Sequence, residues 1–231
     1  MNAIITGASR GIGKAIALKF AQNDFNLALC ARTGADLDAL KNEIGNSNSE
    51  LKIFTQPCDV SKREEVILFG KNAENELGQV DVLVNNAGMF IPGTVCEEAD
   101  GNLEKMISTN LYSAYHLTRT VVGGMKARKT GTIINICSIA SLQAYGGSYS
   151  ISKFAMLGFS KNLREELKEH GIRVISVMPG AVLTDSWAGV DLPKERFMSP
   201  EDVAEIVWTS CFVSKRTAVS YTHLRAHETR R

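Results

Sequence analysis

Short apolar runs rich in Ile, Leu and Val recur along the chain and alternate with longer stretches whose apolar residues return at helical spacing. The runs are "NAIIT" at 2 to 6, "NLALCA" at 26 to 31, "LKIFTQ" at 51 to 56, "VDVLVN" at 80 to 85, "GTIINIC" at 131 to 137 and "RVISVM" at 173 to 178. Between them lie "GKAIALKFAQ", "ADLDALKNEI", "KREEVILFGKNAENEL", a long stretch around 103 to 128, and "SKFAMLGFSKNLREELKEH". The runs are too apolar to alternate as a strand with one wet face would, so they read as strands buried on both sides. Such strands separated by helices predict an α/β fold, a single-domain doubly wound parallel sheet with helices on both faces. No internal repeat or linker marks a second domain. Ligands of these sheets bind beyond the carboxyl ends of the strands, so the residues just after each run are the ones to read for chemistry.

A chain of 231 residues with 44% hydrophobic residues can bury one large core. Its 26 basic and 25 acidic residues leave a formal charge of +1, which offers no electrostatic footprint for nucleic acid or an anionic membrane. A small neutral or modestly charged substrate fits better. No apolar run approaches the roughly 20 residues of a membrane span. The five cysteines, Cys30, Cys58, Cys96, Cys137 and Cys211, form no C-x-x-C pair, and the chain starts on an apolar strand without a secretory signal, so a reducing, cytoplasmic location is expected. Cys30, Cys58 and Cys137 fall in or beside predicted strands, where a free thiol acts as a small buried hydrophobe.

The first predicted strand runs into "TGASRGIG", which opens a helix. Gly7, Gly11 and Gly13 let the backbone turn tightly and approach a ligand, and the helix N-terminus offers free N–H groups to a pyrophosphate. The second strand ends in "CARTG", with Arg32 where a site for an unphosphorylated ribose usually carries an acidic residue. Arg10 in the glycine loop can stand beside it, and two guanidiniums suit a phosphate dianion, which predicts NADP(H) as the cofactor. Later strands end in "CDV", "NNAG" and "PGAVLTD". In "YSISK", Tyr149 and Lys153 are four residues apart on a predicted helix, so phenol and ammonium share one face.

With an Asn in "STNLYSAYH" and a Ser in "INICS", this ordered set of motifs resembles the short-chain dehydrogenase/reductase family, of the three-oxoacyl-carrier-protein reductase and sepiapterin reductase type, over residues 1 to about 218. The resemblance implies a Rossmann fold and hydride transfer to or from a carbonyl carbon. It implies Asn110, Ser138, Tyr149 and Lys153 as the catalytic set. It implies a dinucleotide held by Gly7, Ser9, Arg10, Gly11, Ile12, Gly13, Arg32, Asp59, Val60, Asn86, Ala87, Gly88, Tyr149, Lys153, Pro179, Gly180, Val182 and Thr184, with no metal. In carbonyl reduction, negative charge develops on oxygen and must be hydrogen-bonded, then protonated. A nearby ammonium stabilises the phenolate left behind, so Lys153 makes Tyr149 a better acid. Ser138 would donate to the substrate oxygen. In the family the lysine also holds the nicotinamide ribose, Asn110 would hold a relay water, and Thr184 resembles the residue that bonds the carboxamide. Tyr145, Met178 and Trp187 are apolar candidates for the pocket wall. The expected activity is NADPH-dependent reduction of a small ketone or aldehyde. A 3-oxoacyl-carrier-protein reductase is the rival, with Lys126, Arg128 and Lys129 as a modest basic cluster for an acidic carrier, and a non-catalytic NADP(H) sensor is the alternative of another class. Family members assemble as homodimers or homotetramers through the last strand and the helices around 103 to 128 and 149 to 170.

Two departures from the family pattern stand out. Ser138 and Tyr149 are 11 positions apart, about two fewer than usual, and a tightened Gly146-Gly147 turn is expected to absorb the difference. After "SPEDVAEIVWTSCFVSKRTAV", which reads as a capped helix leading toward a strand, the tail continues "SYTHLRAHETRR" without strand periodicity. Residues 219 to 229 match the translation of a transposase-type sequencing adapter, so 219 to 231 are expected to be a non-native tail. The last strand is then expected to be missing and assembly weakened, and His223 and His227 are assigned no metal role.

Overall fold

A computed structural model describes residues 1–184, 196–213 and 219–225. The elements run β1 (Asn2–Thr6), α1 (Gly11–Ala21), β2 (Asn26–Ala31), α2 (Gly34–Ser47), β3 (Ile53–Pro57), α3 (Arg63–Leu77) and β4 (Val82–Asn85). They continue through α4 (Asn102–Ile107), a π-helical turn (Ser108–Tyr112), α5 (Ser113–Arg128), β5 (Gly131–Ile136), a 3-10 turn (Ile139–Ser141), α6 (Gly147–Leu167), β6 (Ile172–Pro179), α7 (Pro200–Phe212) and β7 (Tyr221–Leu224).

The seven strands form one sheet in the order β3-β2-β1-β4-β5-β6-β7, parallel throughout. All five residues of β1 are buried because each face of the sheet has its own core. Ala3 and Ile5 point to the side of α1, α2 and α7, where Phe20, Leu37, Leu40 and Val207 close the packing. Ile4 points to the other side, against Phe69 of α3 and Leu117 and Val121 of α5. The non-alternating runs seen in the sequence therefore mark strands covered on both sides. Full burial of a side chain such as Phe20 stabilises the fold by about 1.5–3 kcal/mol.

Local sequence sets where α7 begins. Ser199 Oγ accepts from Asp202 N at 3.1 Å, Asp202 Oδ2 accepts from Ser199 N at 3.0 Å, and Pro200 needs no N–H at the first helical position.

One expectation is overturned: the last strand is present. Tyr221–Leu224 pairs with β6 from Ser176↔Tyr221 to Pro179↔Leu224. Strand pairing uses backbone groups, which any non-proline sequence supplies, and an edge position does not demand an apolar pattern. The side chains of β7 are accordingly exposed or half-buried, while Val219 and Leu224 still pack on the core. Arg164 on α6 fixes the lead-in, donating from Nη2 to Ser220 O at 2.7 Å.

Candidate functional site

The order of strands reverses at β1 and β4, so the connections leaving these neighbours go to opposite faces and open a crevice at their carboxyl ends. Thr6 ties the two strand ends together: its Oγ1 accepts from Asn86 N at 3.1 Å and Ala87 N at 2.9 Å. Asn86 Nδ2 returns bonds to Thr6 O at 2.8 Å and Gly7 O at 3.1 Å. This draws the "NNAG" segment against the glycine loop. Gly7 adopts φ 64°, and a Cβ on Gly13 would lie 2.1 Å from Gly7 O, so the loop can only close with glycines there. Ser9, Arg10 and Ile12 complete the turn, whose first helical N–H groups have no partner within α1. A Cβ on Gly11 would meet Thr184 Cγ2 at 3.1 Å, which puts Thr184 across the crevice from the loop. The turn thus leaves a cradle of backbone donors whose shape and charge fit a dinucleotide pyrophosphate.

Arg32 follows β2 and Arg10 caps α1, both exposed, at the same end of the sheet. Asp59, next to Val60 after β3, has its carboxyl held below the usual range chiefly by the Ser61 hydroxyl at 2.7 Å, with the Arg32 guanidinium a lesser contributor.

A cavity of about 450 Å³ lies beside this cradle. It is lined by Ile12, Asn86, Gly88, Ser138, Tyr149, Lys153, Pro179, Gly180, Val182 and Thr184 among others, so the two halves of the sequence-expected set share one space. Tyr149 occupies the first turn of α6 and Lys153 the second, one face of the helix. Lys153 is 5% exposed, and its Nζ donates to Ile136 O at 3.0 Å and lies 5.9 Å from the Tyr149 ring centroid. Ser138 caps the 3-10 turn after β5, its Oγ accepting from Ala140 N at 3.1 Å. That bond uses an acceptor site of the hydroxyl and leaves its proton to donate. The short loop to Tyr149 closes through Gly146 at φ 122° and Gly147 at φ 39°, as expected from the Gly-Gly pair.

Asn110 sits in the π-helical turn, 2% exposed. Its Oδ1 accepts from Met89 N at 2.7 Å, and its Nδ2 donates to Met89 O at 3.0 Å and Ser152 Oγ at 2.9 Å. The amide thereby ties the loop after β4 to α6. Below the cavity a buried chain of side chains joins four elements: Asn85 Nδ2 donates to Thr118 Oγ1 at 3.2 Å and Asn135 Oδ1 at 2.8 Å, and Asn135 Nδ2 donates to Ser160 Oγ at 2.7 Å.

Phe90 is a wall residue that sequence reading did not single out, as are Met89, Ile139, Ala140 and Ala181. The Phe90 ring meets that of Tyr149 edge-on at 4.8 Å, and only its place two residues after "NNAG" hinted at it. Tyr145 lines the cavity as expected; Met178 lies beneath it in the core, and Trp187 falls outside the described residues. Lys126, Arg128 and Lys129 are not near the mouth. They end α5, which leads into the amino end of β5, opposite the carboxyl-end crevice, and Arg128 Nη2 donates to Val80 O at 2.7 Å. Cys30, Cys58, Cys137 and Cys211 are buried, and desolvation pushes the Cys137 thiol up despite the opposing charge of Lys153. Among the described residues no cluster of metal-ligating side chains forms, and no helix is long and apolar enough to cross a membrane; His227 lies outside them.

A family model described as "short chain dehydrogenase" matches residues 1–194. The chain is 34% identical over 212 residues to carbonyl reductase family member 4 of Xenopus laevis, covering 88% of this chain and 87% of that protein. It is 33% identical over 232 residues to a sepiapterin reductase of Chlorobaculum tepidum, covering 96% and 94%. Among solved structures, an alcohol dehydrogenase of the archaeon Thermococcus sibiricus complexed with 5-hydroxy-NADP superposes with a TM-score of 0.91 at 31% identity, covering 100% of this chain and 98% of that one.

Proposed function

This chain belongs to the short chain dehydrogenase family, and from that premise we propose that it reduces the carbonyl of a small ketone or aldehyde with NADPH. The observation that carries this reading is the convergence of Ser138, Tyr149 and a buried Lys153 on one cavity beside the glycine cradle. The cofactor, when bound, supplies the hydride. Gly7, Ser9, Arg10, Gly11, Ile12 and Gly13 receive its pyrophosphate, and Arg10 and Arg32 favour a 2'-phosphate by charge and fork geometry. Asn86, Gly88, Pro179, Gly180 and Val182 form cavity walls, Thr184 faces the loop from the far side, and Ala87 packs on Gly7. Asp59 and Val60, after β3, are assigned to the adenosine end of the cofactor.

At the reacting end, Ser138 donates its free proton to the substrate oxygen as charge builds there. Tyr149 delivers the proton that completes the alcohol, and the fixed ammonium of Lys153 stabilises the phenolate that results. Asn110 holds the loop after β4 in register with α6. Reduction of a carrier-bound 3-oxoacyl group is less favoured, because the basic cluster of α5 lies at the opposite end of the sheet from the cavity. Assembly is proposed to use α5 and α6, where Tyr115, Ile151 and Phe154, with Tyr112 just before α5, present exposed apolar surface.

The test follows oxidation of NADPH and NADH with a panel of diketones, sepiapterin and a 3-oxoacyl thioester, for the chain and for Tyr149→Phe. NADPH-dependent turnover that collapses in the variant supports the reading. Tight NADPH binding with no turnover on any carbonyl overturns it in favour of a sensor.

A further inference from the structure

The segment from 88 to 100, which joins β4 to α4, touches the start of α6 at several points. Gly93 O would lie 3.0 Å from a Cβ on either Gly146 or Gly147, so this approach requires glycines at the cap and the first residue of α6. Phe90 sets its ring against Tyr149. Glu98 closes the segment: its carboxylate accepts from the Ser148 hydroxyl, and Oε2 accepts from Ser148 N at 3.3 Å. Ser148 is 1% exposed and immediately precedes Tyr149. A carboxylate here satisfies a helix N–H that has no intrahelical partner and lies at the positive end of the α6 dipole.

The geometry points to Glu98 as a positioning residue that straps this segment to the first turn of α6 and so holds Phe90 against Tyr149. Glu98 does not line the cavity; it acts through Ser148 and through the segment that carries Phe90. Without the strap, the segment is tied to α6 only through Asn110 and close packing, and the Phe90 ring is free to swing off the phenol. The Tyr149 ring then loses the wall that limits its orientation, and near-attack geometry is sensitive to displacements of that size. The catalytic consequence rests on the carbonyl-reduction reading above; the strap itself does not.

The experiment is a double-mutant cycle on the full chain. Glu98→Ala is expected to lower kcat/KM for the carbonyl about tenfold, the scale of one lost charge-assisted hydrogen bond, while the Kd for NADPH stays within about twofold. Glu98→Gln, which keeps the volume and an acceptor oxygen, is expected to recover activity to within about threefold of the parent. In a Phe90→Ala background the further change Glu98→Ala is expected to cost little, since its effect travels through that ring. Parental kcat/KM in Glu98→Ala, additive losses in the cycle, or an equal loss of NADPH affinity would each overturn the proposal. Hydrogen exchange gives a readout that needs no turnover: the hydrogen-bonded amides of Ser148, Met89 and Glu97 should exchange faster in Glu98→Ala. Unchanged exchange overturns the strap, whereas faster exchange in a chain inactive on every carbonyl keeps the strap and removes the reductase reading.

Discussion

Lys153 Nζ donates to the carbonyl oxygen of Ile136 at 3.0 Å, tying the second turn of α6 to the last residue of β5. An ammonium has three donors, and this bond fixes one of them, so the direction of the other two is set by the sheet rather than by a flexible stem. The Lys153 Nζ, 5.9 Å from the Tyr149 ring centroid, is anchored there by its bond to the sheet.

On the proposed carbonyl-reduction reading, Lys153→Met should lower kcat at least about a hundredfold, by removing the charge assigned to stabilise the phenolate. Lys153→Arg should not restore it, because a planar guanidinium cannot occupy a site shaped around a point charge. Single-turnover kinetics with saturating cofactor separates this loss from weakened binding.

Replacing Arg32 with Asp reverses the charge offered to a 2'-phosphate and supplies an acceptor for a free ribose hydroxyl. The KM for NADPH should rise about tenfold or more, and that for NADH should fall. Arg10→Ala should weaken NADPH alone. Equal effects on both cofactors would show that the arginines serve the loop and not the phosphate.

Cys211 gives the stability profile an alkaline edge. Burial pushes its thiol up to about 12 from an ordinary value of 9.0. The unfolded chain therefore loses this proton at a lower pH than the folded chain, and stability present below about pH 9 is lost as pH rises toward about 12. Cys30 and Cys137 shift in the same direction, for the same leading reason of burial. Melting temperature should fall above about pH 9, and Cys211→Ala should make that fall shallower, at a cost near neutrality of about 1–3 kcal/mol for the lost packing.

Arg164→Ala removes the donors to Ser220 O and Val174 O and should loosen β7. A loss of about 1–2 kcal/mol is expected in denaturant unfolding, with faster exchange at Gly180, whose N–H is bonded to Leu224 O at 2.8 Å. Ending the chain at residue 218 should do more, since it leaves the carbonyls and amides of β6 facing water along a parallel edge.

Most of the sheet was legible in the sequence because buried parallel strands advertise themselves: β5 was expected at 131 to 137 and is Gly131–Ile136. The glycine loop was equally plain, since a Cβ at Gly13 has nowhere to go. β7 was hidden because an edge strand needs only its backbone, and the mixed side chains of Tyr221–Leu224 carry no apolar run or clear alternation in the sequence. The place of the basic cluster was hidden because composition does not say which end of a helix faces the crevice. Glu98 was hidden for a third reason: its partner is 50 residues away, and no local pattern relates a loop carboxylate to a helix start that far along the chain.

The buried chain Asn85–Asn135–Ser160 bears on the Tyr149 end of α6 in one more way. Ser160 is 11 residues, about three turns, beyond Tyr149, so both project from nearly the same side of the helix. A helix packed by hydrophobic contact alone can roll about its axis, because those contacts have no direction. The bond from Asn135 has one. It acts as a key in a shaft: sheet and helix are locked in angle at Ser160, and the lock is carried along the rod to the phenol at the other end.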